Sequence, residues 1–174
     1  MGADIHCYIE HGRRRKDHDG DGERVHWSSF NYSGLNPGRH YEIFGALAGV
    51  RCSENQMFEL RGMPEDPAFG TRNDNQLYVV ADDDPSAEHE KFTSRSNAES
   101  WVASGCSRWA NDEKTIVTHP DWHSHSWLTP AEWRQVIEAE YEYAPNDEYF
   151  ALAAAMEELE RRGNEVRIVF WFDN

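Results

Sequence analysis

Val166-Arg167-Ile168-Val169-Phe170-Trp171-Phe172, near the end of the chain, decides the reading of the fold. Apart from Arg167 the run is β-branched or aromatic and does not alternate, which suits a central strand covered on both faces. A central strand needs neighbours. Residues 3–10 offer one: Ile5, Cys7 and Ile9 alternate with Asp4, His6, Tyr8 and Glu10, as in a half-buried strand. That alternation places Asp4 and His6 on the same surface. Residues 12–22 are glycine-rich, first basic and then acidic, and the β-compatible residues 24–30 follow, so the economical reading is a hairpin with a polar tip.

Helical spacing appears in three places. Leu35-Asn36-Pro37-Gly38 is a turn signal, after which Tyr41, Phe44, Leu47 and Ala48 recur as one face of a helix at about 40–48. Thr129-Pro130-Ala131-Glu132 carries a capping threonine, a proline at the first helical position and a glutamate three residues beyond the cap, so a helix is expected from there to about 142. A second long helix is expected over 147–162, with Phe150, Ala154 and Leu159 among its inward residues and Gly163 ending it. Residues 98–103 read as a further helix, and 77–80 and 115–118 as short strands. Residues 51–75 show no period and read as an ordered surface loop. The fold class implied is α+β: a small, largely antiparallel sheet that includes the N- and C-terminal strands, with helices packed to one side. One domain spanning 1–174 fits the length.

Composition narrows the function classes. Asp and Glu number 32 against 17 Lys and Arg, a formal net charge of −15, and such a field repels polyanions. Broad nucleic-acid binding is therefore disfavoured. Seven tryptophans, seven tyrosines and eight phenylalanines offset a hydrophobic fraction of only 39%. Cys7, Cys52 and Cys106 are odd in number and lack C-x-x-C spacing, so they read as free thiols rather than as a disulfide or zinc framework. No apolar run reaches the length of a membrane span, and Met1-Gly2-Ala3-Asp4-Ile5-His6 has no leader pattern, so the expected compartment is the cytoplasm.

The candidate chemistry lies in two segments. Asp4 and His6 share a strand face, and Asp121-Trp122-His123-Ser124-His125-Ser126 precedes the capped helix; an H-x-H pair in extended backbone points both imidazoles the same way. Carboxylates and neutral imidazoles are the usual oxygen and nitrogen ligands of a divalent metal, so Asp4, His6, His123 and His125 form a candidate metal set. His6, His123 and His125 are equally candidates for metal-free general acid or base chemistry, and the structural alternative is that they orient loops by hydrogen bonding. Asp173 would add a carboxylate if the last strand neighbours the first. Arg39 and Arg61 are candidate anion binders. Trp122 and Trp127, with Trp101 and Trp109, could stack on a ligand ring or fill the core. Asp17-His18-Asp19-Gly20-Asp21-Gly22 alternates carboxylates like the start of a calcium loop, but its twelfth position is Ser28 instead of glutamate, which favours a solvated turn.

The chain resembles a family of small bacteriophage and bacterial proteins that begin M-G-C-D-I-H, here Met1-Gly2-Ala3-Asp4-Ile5-His6 with alanine for the usual cysteine. Further matches are Arg39-His40-Tyr41-Glu42-Ile43-Phe44, Arg61-Gly62-Met63-Pro64-Glu65-Asp66, His123-Ser124-His125-Ser126-Trp127-Leu128-Thr129 and Phe170-Trp171-Phe172-Asp173-Asn174. The resemblance implies a phage or prophage setting, with the host-cell cytoplasm as the compartment and a host defence protein or nucleotide signal as a possible target class. Ala3 implies that a cysteine there is not an essential ligand.

The leading expectation is a metal-assisted hydrolase of a phosphoester or nucleotide-like small molecule, in which a cation offsets the acidic field and polarises a phosphoryl oxygen. The rival is a non-enzymatic sponge that holds a nucleotide-like anion with Trp, Arg and His side chains. A third reading is an acidic inhibitor that binds a basic surface of a host factor.

Overall fold

A computed structural model describes residues 2–16, 22–30, 34–51 and 53–174. The calcium-like spacing at 17–22 falls almost wholly outside the described residues, as does Cys52. The closing strand β7, Glu165–Asp173, is central, and residues 166–172 are all buried. On one side it pairs antiparallel with β1, Asp4–Lys16, in a register running from Asp4 opposite Asp173 to Gly12 opposite Glu165. β1 pairs in turn with β2, Glu23–Ser29, while β6, His123–Leu128, lies on the far side of β7. The sheet order is β2-β1-β7-β6. Gly12 is required where β1 meets β2, because a Cβ there would stand 2.4 Å from the His26 carbonyl oxygen.

Strand alternation divides the side chains of this sheet. Ile5, Cys7 and Ile9 share one face with Val166, Ile168, Phe170 and Phe172, and they meet helices α1 (Tyr41–Ala48), α4 (Pro130–Ala139) and α5 (Asp147–Arg161) in the main core. Burial pushes the Cys7 thiol pKa upward, so it behaves as a small apolar group. Helix α4 starts at the expected capping box, with Thr129 Oγ1 accepting from Glu132 N–H and Glu132 Oε2 accepting from Thr129 N–H at 2.8 Å. It stops at Ala139, short of the expected 142, because the chain tightens into a 3-10 turn at Tyr141–Tyr143 and turns left-handed at Ala144.

The inward face of α5 is Tyr149, Leu152, Ala153 and Met156, a shift in phase from the expected set: Ala154 is exposed, and Phe150 and Leu159 lie at the margin. Tyr149 sets that phase. Its ring stacks on Trp133 at 5.9 Å, its carbonyl accepts from Trp133 Nε1–H, and its hydroxyl donates to the Gly38 carbonyl at 2.8 Å. Gly38 has φ of +85°, which fits the turn read at Leu35-Asn36-Pro37-Gly38.

The opposite face of the sheet is covered by the middle of the chain. There α2 (Phe69–Asp74) appears within the stretch expected to be a loop, and β3 (Leu77–Val80), β4 (Phe92–Ser94) and β5 (Ile116–Val117) form a second sheet in the order β4-β3-β5. Its β3 and β4 run parallel. Helix α3, Arg95–Ser104, completes a small separate core of Leu77, Ala98 and Val117 with Trp101, Val102 and Trp109 packed on it. Among the described residues no helix is long and apolar enough to cross a membrane.

A buried ion pair ties this second layer to the sheet. Glu10 is fully buried, and its Oε2 accepts from Arg167 Nε at 2.7 Å while Oε1 accepts from Ala68 N–H at 2.7 Å. Arg167 also donates to the Asp66 carbonyl at 2.9 Å and lies 3.9 Å over the Trp27 ring. Trp27 Nε1–H closes the network on Asp66 Oδ2 at 3.0 Å. Removing one partner of such a pair strands the other charge, so Arg167→Ala is expected to cost about 3–5 kcal/mol in urea unfolding. Thr129→Ala, which removes a cap without stranding a charge, is expected to cost about 1 kcal/mol by the same measurement.

Candidate functional site

The polar face of β1 and β7 carries a row of flat side chains. Adjacent strands lie about 4.8 Å apart, so rings standing on one face of neighbouring strands stack plate against plate. Trp171 is the middle plate. His6, directly opposite it on β1, stacks at 5.4 Å and 10°, Tyr8 at 5.3 Å and 8°, and His125 from β6 at 5.9 Å and 20°. Trp122 leans on the row at 6.0 Å from Trp171 and 6.4 Å from His6. His119 and Trp101 carry the ring contacts outward to α3. Trp171 is buried, and its Nε1–H has no partner among the described residues.

Each sequence-derived candidate has a definite place. Asp4 receives both arms of Arg39, Nε to Oδ1 and Nη2 to Oδ2, each at 2.6 Å. The Arg39 hydrogen bonds hold the Asp4 carboxyl below its ordinary pKa. His6 Nε2 lies 3.0 Å from Asp173 Oδ2, and because a carboxylate only accepts, Nε2–H donates. Asp173 Oδ1 accepts from the Asp4 backbone N–H at 3.2 Å. The last strand does neighbour the first, and Asp173 stands where the conditional reading put it.

His123 and His125 do not point the same way. Ser124 is left-handed, with φ of +54°, and inserts a bulge that breaks the β6 to β7 register between His123 and Ser126. His123 consequently lies over Phe172, at 6.1 Å, whereas His125 lies over Trp171, whose side chain projects from the opposite face of β7. The Nε2 atoms of both rings are buried and have no hydrogen-bond partner among the described residues. Burial, then the charges of Arg108, His123 and His6, push the His125 pKa down to about 4. Among the described residues no three His, Cys, Asp or Glu side chains come together as a metal-holding group.

Arg61 is committed elsewhere. Its Nη1 donates to Glu132 Oε2 at 2.9 Å and to the Trp127 carbonyl at 3.2 Å, Nη2 pairs with Glu132 Oε1, and the guanidinium lies 4.6 Å over the Trp127 ring. Arg61 and Trp127 therefore brace the R-G-M-P segment against the start of α4. Arg39 is likewise occupied, by Asp4.

The residues brought to open space are different ones. A cavity of about 480 Å³ is lined by Arg108, Asp121, Trp122, His123 and His125, with Cys106, Thr118 and Asn174 also in its wall. The Arg108 backbone is clamped on Thr118, donating to Thr118 Oγ1 at 3.0 Å and accepting from Thr118 N–H at 3.0 Å. Its guanidinium, unlike those of Arg39, Arg61, Arg134 and Arg167, has no carboxylate partner among the described residues. Sequence reasoning passed over Arg108; its one signal is a lone cation beside Trp109. Behind the row, the Tyr8 hydroxyl donates to Asp74, which also pairs with Lys91 at 3.0 Å, and this fastens α2 over the sheet.

No family model, curated protein or solved structure matches the chain.

The depressed pKa of His125 has a measurable consequence. Between about pH 6.5 and pH 4 the unfolded chain takes up a proton at His125 that the folded protein refuses. Stability therefore falls as the pH is lowered through that window, by up to about 1.4 kcal/mol per pH unit from this group. His125→Gln should flatten that part of the slope in urea unfolding at pH 7, 5.5 and 4.5. Equal slopes in the two proteins would contradict the assignment.

Proposed function

We propose that the protein binds a small, anionic, nucleotide-like ligand in the cavity between β6 and the second layer. The observation that carries this reading is Arg108, which has no carboxylate partner among the described residues, in the wall of the same cavity as His123 and His125, whose Nε2 atoms also lack a hydrogen-bond partner among them. In a chain of net charge −15, an arginine without a carboxylate partner is a local site of anion affinity. Arg108 would take the phosphate, Trp122 would face the base, and His125, neutral at pH 7, would exchange one hydrogen bond with a ring or sugar group. Binding without turnover fits the committed state of Asp4, which Arg39 already neutralises. With the resemblance to phage proteins, the reading extends to sequestration of a host nucleotide signal.

Hydrolysis is the second reading, and the His6–Asp173 pair supports it. Asp173 orients the imidazole through Nε2 and leaves Nδ1 as the nitrogen that would exchange a proton with a substrate or water. His6 adjoins the cavity through Trp122. A divalent cation recruited by the ligand's phosphate would complete the metal-assisted form.

Calorimetric titration with AMP and GMP, followed by heat denaturation and chromatography of the released material, separates the two. Intact nucleotide supports binding; hydrolysed nucleotide supports the enzyme. Arg108→Ala should weaken binding by about ten- to a hundredfold, the loss expected for a hydrogen bond to a charged group. Absence of heat with every nucleotide tried would sink the proposal.

A further inference from the structure

A second cavity, of about 560 Å³, adjoins the first, and the two share Arg108 and Thr118 in their walls. Its wall includes Trp109 and Ile116, Met63 and Pro64 from the R-G-M-P segment, the charged side chains of Glu65 and Arg72, and Asn75. Asn75 is only 6% exposed, and its amide Nδ2 has no hydrogen-bond partner among the described residues. A buried amide donor left unmade costs free energy, which a ligand acceptor would recover once the amide turned toward the cavity. Each cavity falls in the size range of small-molecule sites, and each has an indole on its wall, Trp122 in the first and Trp109 in the second. The one cation common to both is Arg108.

We infer that the ligand is two-lobed: a dinucleotide whose phosphodiester lies at Arg108, with one base in the His125 and Trp122 cavity and the other in the Asn75 and Trp109 cavity. The inference rests on the nucleotide-binding reading above and specifies its ligand class. A mononucleotide fills one cavity and leaves the Asn75 amide unpartnered. A dinucleotide engages both, and its second base binds at the high local concentration set by the linkage. A longer strand adds phosphates that the field of a −15 chain repels.

The test is calorimetric titration with AMP, the 3′,5′-linked dinucleotide pApA and a ten-nucleotide oligoadenylate, with GMP and pGpG as a second pair. The dinucleotide of at least one pair is expected to bind about tenfold or more tightly than its mononucleotide, and the oligoadenylate no more tightly than pApA. Ala110 is exposed where it borders the second cavity, so Ala110→Trp fills that space without touching a core. It should reduce dinucleotide affinity to that of the mononucleotide and leave mononucleotide binding unchanged. Asn75→Asp should act in the same direction, with its unfolding midpoint measured alongside. Equal affinity for mono- and dinucleotide, or an Ala110→Trp protein that keeps full dinucleotide affinity, would overturn the two-lobed ligand while leaving the single-cavity reading standing. An oligoadenylate that binds about tenfold more tightly than pApA would overturn it too, in favour of a strand-binding groove. No binding of any of these probes would overturn both readings.

Discussion

Glu10 and Arg167 face each other across β1 and β7, fully and nearly fully buried, on the side of the sheet away from α1, α4 and α5. Two charges at the middle of a sheet face cannot be left under an apolar cover, because taking them out of water costs several kcal/mol per ion unless polar groups replace the solvent. The chain supplies those groups from one segment: the Ala68 N–H, the Asp66 carboxylate and carbonyl, and the Trp27 ring laid over the guanidinium. That requirement draws residues 61–76 across the sheet. Once the segment is there, Met63, Pro64, Asn75 and Gln76 border one cavity, and the small sheet that follows brings Arg108 beside β6. The placement of the candidate site follows from how one ion pair is solvated by protein.

The elements legible in the sequence are those whose pattern reports burial directly. The closing strand read as central because nothing in residues 166–172 but Arg167 tolerates water, and residues 3–10 read as its partner because their alternation matches a sheet with one apolar core face. The Thr129 box read correctly because capping is local chemistry. What could not be read depended on distant partners. Helix α2 is short, and its N-cap Ala68 makes no side-chain cap bond; the Ala68 amide instead donates to the distant Glu10 carboxylate. The α5 face was misjudged by one position because Tyr149, a residue with a polar end, is buried through its bond to Gly38.

The candidate site divides in the same way. Asp4, His6 and Asp173 could be gathered from strand alternation and the assumption that the first and last strands pair. The H-x-H reading failed at Ser124, since a bulge arises from register against β7 and leaves no mark in the H-S-H triplet itself. Arg39 and Arg61 looked free because sequence shows a charge without its partner; Asp4 and Glu132 are 35 and 71 residues away from them. Arg108 was invisible for the converse reason. What sets it apart is that no carboxylate among the described residues pairs with it.

The row of rings around Trp171 makes the protein its own optical gauge. An indole shielded from water emits at shorter wavelength than an exposed one, and imidazole rings on both of its sides quench it to a degree that changes with their protonation and hydrogen bonding. Trp122, 6.0 Å away and tilted by 54°, is close enough for the strong far-ultraviolet transitions of the two indoles to couple. Trp122 also walls the cavity, so a molecule that entered there would lie against one half of the coupled pair. Its arrival would be readable in the protein's own dichroism and emission, with no label attached.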